Sequence, residues 1–502
     1  MKTKFAVLLT MLFAISSMAQ VDDMNVTWGE KIQARKKLVT DILYTGNSSE
    51  FYAINSSVKM FGGEKYLEKY EGLSKSNEKE LENEYRRGIY SLINILELND
   101  NLYALNSVKT KEKKSLSVQG IDQNSLQFSG SKDMIYNFKL TKGRNYSNGE
   151  YVSSISQKEE KIVYAIEHPG NRESKAIMTV KVFDDNFELQ WKSKFTLPYD
   201  RGLSNIESVN VSDDGKVYLL TQVWKEKKER ERKERNYDYY INVVTEDGLE
   251  SKHKLELKDN YIRELKLNIA SNGDLICGGF YSKEGFRSDG VFFMQLDASD
   301  FTIEQESLKE FGLDFLTDGM SDRKAAKTKK RANKGKGVGL ANVDFRDFIV
   351  KEDGGAVLVG EYVRIYTTTS TDANGNTTTT THYNYDDIYV ININPEGGIE
   401  WAEKIQKYQH TANDGGFYSS FFMSINDDNL NFMFNVREGR EMILHAVSMD
   451  GNGKQNSRDL ISINKKERIR IRPKSCEQIS DFEFILFAIG KKYNQFARVT
   501  VD

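Results

Sequence analysis

Trp28-Gly29-Glu30-Lys31-Ile32-Gln33 and Trp401-Ala402-Glu403-Lys404-Ile405-Gln406 agree at five of six positions, although almost four hundred residues separate them. The second copy closes a longer phrase, Asp387 to Trp401 (DIYVININPEGGIEW), in which two apolar runs of alternating polarity flank a Pro/Gly turn. Alternation on either side of a tight turn is what a β-hairpin requires, because side chains of a strand point to opposite faces at successive positions. Weaker versions of the phrase recur along the chain, and a repeat of this length means stacked copies of one supersecondary unit.

The clearest unit spans 345–406. Phe345 to Val350 reads as a first strand, Ala356 to Arg364 as a second, Asp387 to Asn394 as a third and Ile399 to Gln406 as a fourth, with turns at 351–355 and 395–398 and a long loop between the second and third strands. Four antiparallel strands in sequence order form one blade of a propeller. The same order fits Ile206 to Leu257, Leu265 to Leu308 and Phe421 to Ile461, and with less regular spacing 150–197, 89–140 and 39–86. The unit that starts near Pro473 offers only three strands, Lys474 to Ile479, Phe482 to Gly490 and Gln495 to Val501. Its missing fourth strand is supplied by the opening match. A strand at Trp28 to Gln33 that completes the C-terminal blade closes the ring and leaves no sheet edge open. The expected fold is therefore an all-β propeller of eight four-stranded blades. Seven is the alternative, because 39–86 is rich enough in Glu, Lys and Tyr for part of it to be helical.

Composition agrees with strands whose amides are all paired: 27 Phe and 26 Tyr, but only four Pro. Residues 1–19 read as an export signal, with Lys2 and Lys4 before an apolar run from Phe5 to Ile15 and Ser17-Met18-Ala19 as a small-x-small cleavage site. The expected mature chain, 20–502, is one propeller domain with insertions at 225–238, 312–344 and 367–386. No stretch is long and uncharged enough to span a bilayer as a helix, and no Cys follows the cleavage site to take a lipid. The expected destination is the periplasm or the exterior. Loss of the two signal lysines takes the formal charge from -3 to -5, a balance that argues against nucleic acid as partner. Cys277 and Cys476 fall in non-adjacent units, too far apart for disulfide geometry, so two buried thiols are expected.

Phrases of the form Asp, apolar run, Asn/Asp-x-x-Gly-x-x-Trp resemble blade signatures of exported bacterial β-propellers, among them quinone-cofactor dehydrogenase repeats and outer-membrane assembly scaffolds. Trp28, Trp191 and Trp401 carry the motif's last position. The stretch 310–425 also resembles a group of exported bacterial proteins without an assigned activity. That resemblance implies a fold and no chemistry, and the adjacent-cysteine pair common in the quinone enzymes is absent here.

In such a blade the first-to-second and third-to-fourth turns share one face of the disk, and all other connections share the opposite face. The first kind is short throughout and built from Asp, Asn and Gly. Every long insertion, 225–238, 312–344, 367–386 and 407–416, is of the second kind. One face is minimal and the other carries the elaboration, which is where binding loops sit. On it, Arg323, Lys324, Lys327, Lys329, Lys330, Arg331, Lys334 and Lys336 form a run without an acid. This is either a solvated loop or a docking arm for an anionic partner, an envelope protein or an acidic glycan. The stretch 225–235 mixes signs and reads as a strand-pair extension or a short helix; the Thr-rich tract 367–381 reads as a protruding loop or ribbon.

His382, Tyr383, His410 and Asp414 gather on the same face with Tyr385 and Asp386, a set able to bind a sugar or a metal, although its spacing matches no metal motif. Asp372, Asn374 and Asn376 imitate the start of a calcium loop but lack its later ligands. No nucleophile elbow, zinc-helix signature, phosphate loop or dinucleotide fingerprint occurs, and no cofactor is called for. The expected function is a non-catalytic interaction scaffold that binds through the long-loop face. The alternative is a carbohydrate-active hydrolase or lyase, whose paired carboxylates need no sequence signature.

Overall fold

The computed structural model describes residues 24–501 except 34–36, 47–48, 60–61, 82–88, 142, 144, 226–235, 285–286, 428, 440 and 464–468. The expected export signal at 1–19 and the mixed-charge stretch at 226–235 lie outside the described residues.

Eight antiparallel sheets follow one another in chain order, each with its strands paired in sequence. Blade 1 runs from Lys37–Leu43 to Ser74–Glu80, blade 2 from Ile89–Leu98 to Phe128–Lys139, and blade 3 from Tyr151–Ile155 to Leu189–Asp200. Blade 4 extends from Ser204–Val211 to Gly248–Leu255 and blade 5 from Tyr261–Ile269 to Ile303–Glu310. Blade 6 spans Val343–Val350 to Ile399–Ile405 and blade 7 Phe422–Asn426 to Gln455–Ile463. Blade 8 takes Glu477–Ser480, Glu483–Ile489 and Tyr493–Val501 from the C-terminal end and Met24–Trp28 with Ile32–Gln33 from the N-terminal end. The chain is an eight-bladed β-propeller closed by its N-terminal strand. Residues 37–80, where helix was the competing expectation, form four strands.

Closure is also visible in the core. Eight apolar clusters each lie between two neighbouring blades, from Ile54 and Ala104 between blades 1 and 2 round to Phe51, Tyr70 and Phe496 between blades 8 and 1. A middle strand therefore buries both faces. All eight residues of Leu275–Ser282 are buried, whereas the outer strand Gly248–Leu255 alternates half-buried and exposed positions between its buried ends. Close approach sets residue size here: a Cβ on Gly278 would lie 2.6 Å from the ring of Phe348 on the next blade. The motif tryptophans tie blades together in the same way. Trp401 Nε1 donates to Gly451 O of blade 7 at 2.9 Å, and Trp191 of blade 3 lies against Gly215 of blade 4.

The opening match holds in topology and slips in register. Trp401 pairs with Asn392, next to the end of its third strand, while Trp28 pairs with Ala497, farther from the strand end at Val501. Trp401 packs toward the following blade with Phe432 and Val447, whereas Trp28 packs toward the preceding blade with Leu444 and Ala446. The closing strand is therefore out of phase with the match and turns the matched residue to the opposite face of the sheet. Gly29 bonds Phe496 O through its amide and separates the two short pieces of the closing strand.

Neither cysteine is in a disulfide and both are buried, Cys277 in blade 5 and Cys476 ahead of the first strand of blade 8. Burial pushes the Cys277 thiol up to about 12, which makes it an unreactive packing group. No helix among the described residues is long and apolar enough to cross a membrane.

Candidate functional site

First strands line the axis of the ring, and a repeated irregularity shapes them. In blades 1, 2, 4, 5 and 6 the first strand carries a register shift near its start, leaving Thr40, Ile93, Glu207, Arg263 and Arg346 as the extra residue. A bulge re-aims the side chain it carries, and bulges gather at barrel rims for this reason. The axial space begins at the long-connection face as a cavity of about 1060 Å3. Ile93, Glu207, Arg263, Trp224, Tyr237 and Tyr239 are among its walls. It continues into a second cavity of about 830 Å3 through shared walls that include Ser154, Asn210, Lys266 and Asp347. Its charged lining is mixed, with Glu207, Glu264 and Asp347 against Arg263 and Lys266.

The aromatic part of the mouth is built from the end of one strand and the start of the next. Trp224 closes Val217–Trp224 and Tyr237 opens Tyr237–Thr245; their rings lie 5.0 Å apart. Tyr237 also makes an edge contact with Tyr239 at 5.6 Å, and its hydroxyl donates to Arg263 O at 3.1 Å. The backbone at the bulge is thereby held while the Arg263 side chain is left to the cavity.

Between blades 6 and 7 a buried ion pair sits at the centre of a hydrogen-bonded network. Lys407 and Glu361, neither with any exposed side-chain surface, meet at 2.8 Å. Lys407 Nζ also donates to Tyr385 O at 2.7 Å and Gln409 Oε1 at 3.1 Å. Glu361 further accepts from Arg346 Nε at 2.9 Å and Ser420 Oγ at 2.8 Å. Burial holds the Lys407 ammonium below its ordinary value against the pull of Glu361. Burial opposes the Arg346 charge as well, but Glu361 and Asp344 overcome it and raise that group. The network fixes 407–416 to the blade and is structural.

The long connections are ordered. The insertion after blade 5 forms α1 (Leu313–Thr317) and α2 (Asp322–Ala332). Lys404 Nζ of blade 6 donates to Phe315 O at 2.7 Å and Asp318 O at 2.9 Å, which pins α1. The basic run, read from sequence as a loop or arm, is helical from Arg323 to Arg331, with Lys334 and Lys336 beyond it; none of its side chains is buried. Ala, Lys and Arg are strong helix formers, and Ser321 stands at the N-cap position, so local propensity rather than packing forms this helix. Lys329 lies 3.7 Å from Asp314, a contact between exposed groups worth little.

The Thr-rich tract is a ribbon, since Ala356–Thr371 and Thr377–Ile393 run on past the blade. At its tip the Asp372 carboxylate accepts from the amides of Asn374 and Asn376, each at 2.9 Å, so the calcium-loop imitation is a turn cap. His410–Ala412 adds a third strand and brings the two histidines together: His382 Nδ1 lies 3.1 Å from His410 Nε2, with Tyr366 stacked on His382 at 4.8 Å. Tyr383 alternates to the opposite ribbon face. Asp414 accepts from Thr411 Oγ1 at 2.7 Å and Gly416 N at 3.0 Å, capping a turn away from the histidines. The expected quartet is thus split, with only His382 and His410 in contact. Among the described residues no group of three or more His, Cys, Asp or Glu side chains is placed to hold a metal.

Arg263, Trp224 and Tyr237 were not singled out in the sequence, and nothing local marks them. The five bulged positions hold four residue types, so the shared feature is backbone register, which leaves no residue signature.

No protein-family model and no curated protein matches the chain. Among solved structures it is similar to the WD40 domain of SCAP from fission yeast, at 9% identity over 97% of both chains with a TM-score of 0.39. It is also similar to polysaccharide lyase Uly1, at 12% identity over 94% of this chain and 99% of that one with a TM-score of 0.36. An oligogalacturonate lyase in complex with manganese matches at 11% identity over 96% of this chain and 98% of that one, with a TM-score of 0.38. Nothing about activity follows from likenesses of this size.

Proposed function

We propose that the protein is an exported, non-catalytic binding module of the cell envelope that engages its partner through the long-connection face. The observation that carries this reading is the one-sided elaboration: α1 and α2, the 356–393 ribbon, the 407–416 segment and the open mouth of the axial cavity all lie on that face. A face specialised for binding is built this way, from variable connections on a rigid scaffold. The test is capture from envelope extract by the mature chain, 20–502, and by a form lacking 320–337 and the ribbon tip 367–381. A specific partner held only by the intact form supports the reading. Equal capture by both forms overturns the assignment to these two insertions.

A second reading, a carbohydrate-active hydrolase or lyase working at the axis, is favoured by one feature. Glu207, Glu264 and Asp347 stand in the same cavity as Trp224, Tyr237 and Tyr239. Turnover of an acidic polysaccharide that is lost in Glu207→Gln or Glu264→Gln would favour this reading over the first.

A further inference from the structure

We propose that one edge of the 356–393 ribbon, the one on the side of its blade's first strand, pairs with the same edge of a second copy of this chain. The two ribbons then form one four-stranded antiparallel sheet about a two-fold axis at Thr368. The inference goes beyond the binding-module reading, because the occupant is the chain itself.

It starts from backbone groups that have nothing to bond. Ala356–Thr371 pairs with the first strand of its blade only as far as Tyr362, but with Thr377–Ile393 out to Thr371. Val363 N still reaches Asn342 O on the first-strand side at 2.8 Å, while Asp372 N turns across the hairpin to Asn376 O at 3.0 Å. Directions alternate between those two points, so the amides and carbonyls of Ile365, Thr367, Thr369 and Thr371 point away from the hairpin. No described residue bonds them, and every side chain from Arg364 to Thr371 is exposed. The opposite edge of the ribbon is covered: Asn413 N donates to Thr381 O at 2.9 Å and Tyr385 N to Gln409 O at 3.0 Å.

An open edge is a template for another strand, and proteins blunt such edges with charge, proline or a bulge. The outer strands of blades 1 to 7 do so with charge, as Lys75, Glu78, Lys79 and Glu80 in Ser74–Glu80 and Glu250, Lys252 and Lys254 in Gly248–Leu255 show. Ile365 to Thr371 has no charge, no proline and no bulge, and most of it is β-branched, which suits strand pairing. A two-stranded hairpin without cover is marginal in water, and two further strands relieve that. Charge then selects the occupant and the register. The uncharged stretch is flanked by Arg364 on one side and Asp372 on the other. Antiparallel pairing centred on Thr368 sets Thr367 opposite Thr369 and Ile365 opposite Thr371 of the second copy, outward groups against outward groups. The same register sets Arg364 opposite Asp372 at both ends, and opposed charges of unlike sign favour a strand pair. A centre moved to Thr367 or Thr369 sets Asp372 opposite Tyr362 or Tyr366 instead. Within its own chain the Arg364 guanidinium lies over the Tyr366 ring at 4.8 Å and meets no described carboxylate, and Asp372 is met only by the amides of Asn374 and Asn376. The two disks stand at opposite ends of the joined sheet, and an isologous contact of this kind closes at two copies.

The test is sedimentation velocity of the mature chain, 20–502, over a range of concentrations, beside two proline variants. An equilibrium between monomer and dimer is expected. Thr369→Pro removes an outward amide at the centre of the contact and should weaken the dimer about tenfold or more. Thr379→Pro removes an outward amide on the opposite edge of the same hairpin and should leave the dimer at the parent's strength. Thermal midpoints of both variants report folding. Register is read by cross-linking: position 368 faces itself as a non-hydrogen-bonded pair, about 4.5 Å between Cα atoms, which lies within disulfide range. Thr368→Cys should link two copies under diamide, and Ser370→Cys, opposite Tyr366, should not; Cys277 and Cys476 are buried in both variants. A monomer at the highest soluble concentration, a dimer indifferent to Thr369→Pro, or equal cross-linking at 368 and 370 overturns the inference. A monomer that captures an envelope protein, with capture lost in Thr369→Pro, would give the edge to another protein's strand; that outcome sinks the second copy and leaves the binding-module reading standing.

Discussion

Glu361 and Lys407 sit where neither has any exposed surface, and every charge there is answered by a hydrogen bond. Removing one member of such a set leaves the other charged and buried, which typically costs about 3–5 kcal/mol. Glu361→Gln should therefore lower stability by about that much in denaturant unfolding. Glu361→Gln with Lys407→Met should recover part of the loss, since the pair is removed together. Glu97 gives a pH-dependent counterpart. Burial raises its carboxyl from 4.5 to about 7, despite an amide donated by Asp100 at 2.8 Å that favours the charged form. The folded state thus holds a proton that the unfolded state releases, so this contribution is complete below about pH 4.5 and lost as pH rises through about 7. Glu97→Gln should accordingly raise the thermal midpoint relative to the parent above pH 7 and leave it unchanged near pH 4.5. At this scale little was legible in the sequence. His382 and His410 were recognised because loops of one blade were expected to meet, whereas Arg263 was not, because a bulge shows itself only through the register of the paired strand.

Helix α2 and the ribbon separate what local propensity can form from what the core requires. No side chain of α2 is fully buried, so replacing Asp322–Ala332 with a Gly/Ser linker should leave the thermal midpoint within about 2 °C of the parent. A larger fall would mean that α2 braces α1 and, through Lys404, blade 6. The basic run looked like a loop because charge dominates it; Ala325, Thr328 and Ala332, half-buried at the spacing of one helix face, and its Ala and Lys content were the available signals. Blade strands were easier to read. Alternation in Gly248–Leu255 and the uncharged, fully buried run of Leu275–Ser282 follow directly from one-sided and two-sided burial. Blade 1 was harder because Ser74–Glu80 spends Lys, Glu and Ser on exposed outer positions and Gly62–Glu71 places Lys65, Glu68 and Lys69 in buried or half-buried ones, where the apolar alternation of a strand is lost.

At the scale of the ring, stability depends on each blade having two neighbours. Blades 8 and 1 share Phe51, Tyr70 and Phe496, with ring centroids about 5 Å apart, and Ser475 Oγ donates across the junction to Val39 O at 2.9 Å. Deleting 24–33 should leave Tyr493–Val501 as an open edge and expose part of that core. The expected outcome is a lower thermal midpoint and concentration-dependent association beyond the parent's in size-exclusion chromatography. A form with the parent's midpoint and elution would show that the closing strand is dispensable. The sequence by itself determined the strand order within a blade and the ring closure and left eight blades or seven, because alternation, turn residues and the Trp28/Trp401 match are properties of adjacent residues. It also determined that elaboration falls on one face, since that follows from which turns are long. Tertiary structure alone decided the phase of the closing strand, the pairing of Glu361 with Lys407 and the bulges that carry Glu207 and Arg263 at the axis. Those depend on residues from different blades meeting at ångström precision, and no spacing along the chain encodes such a meeting.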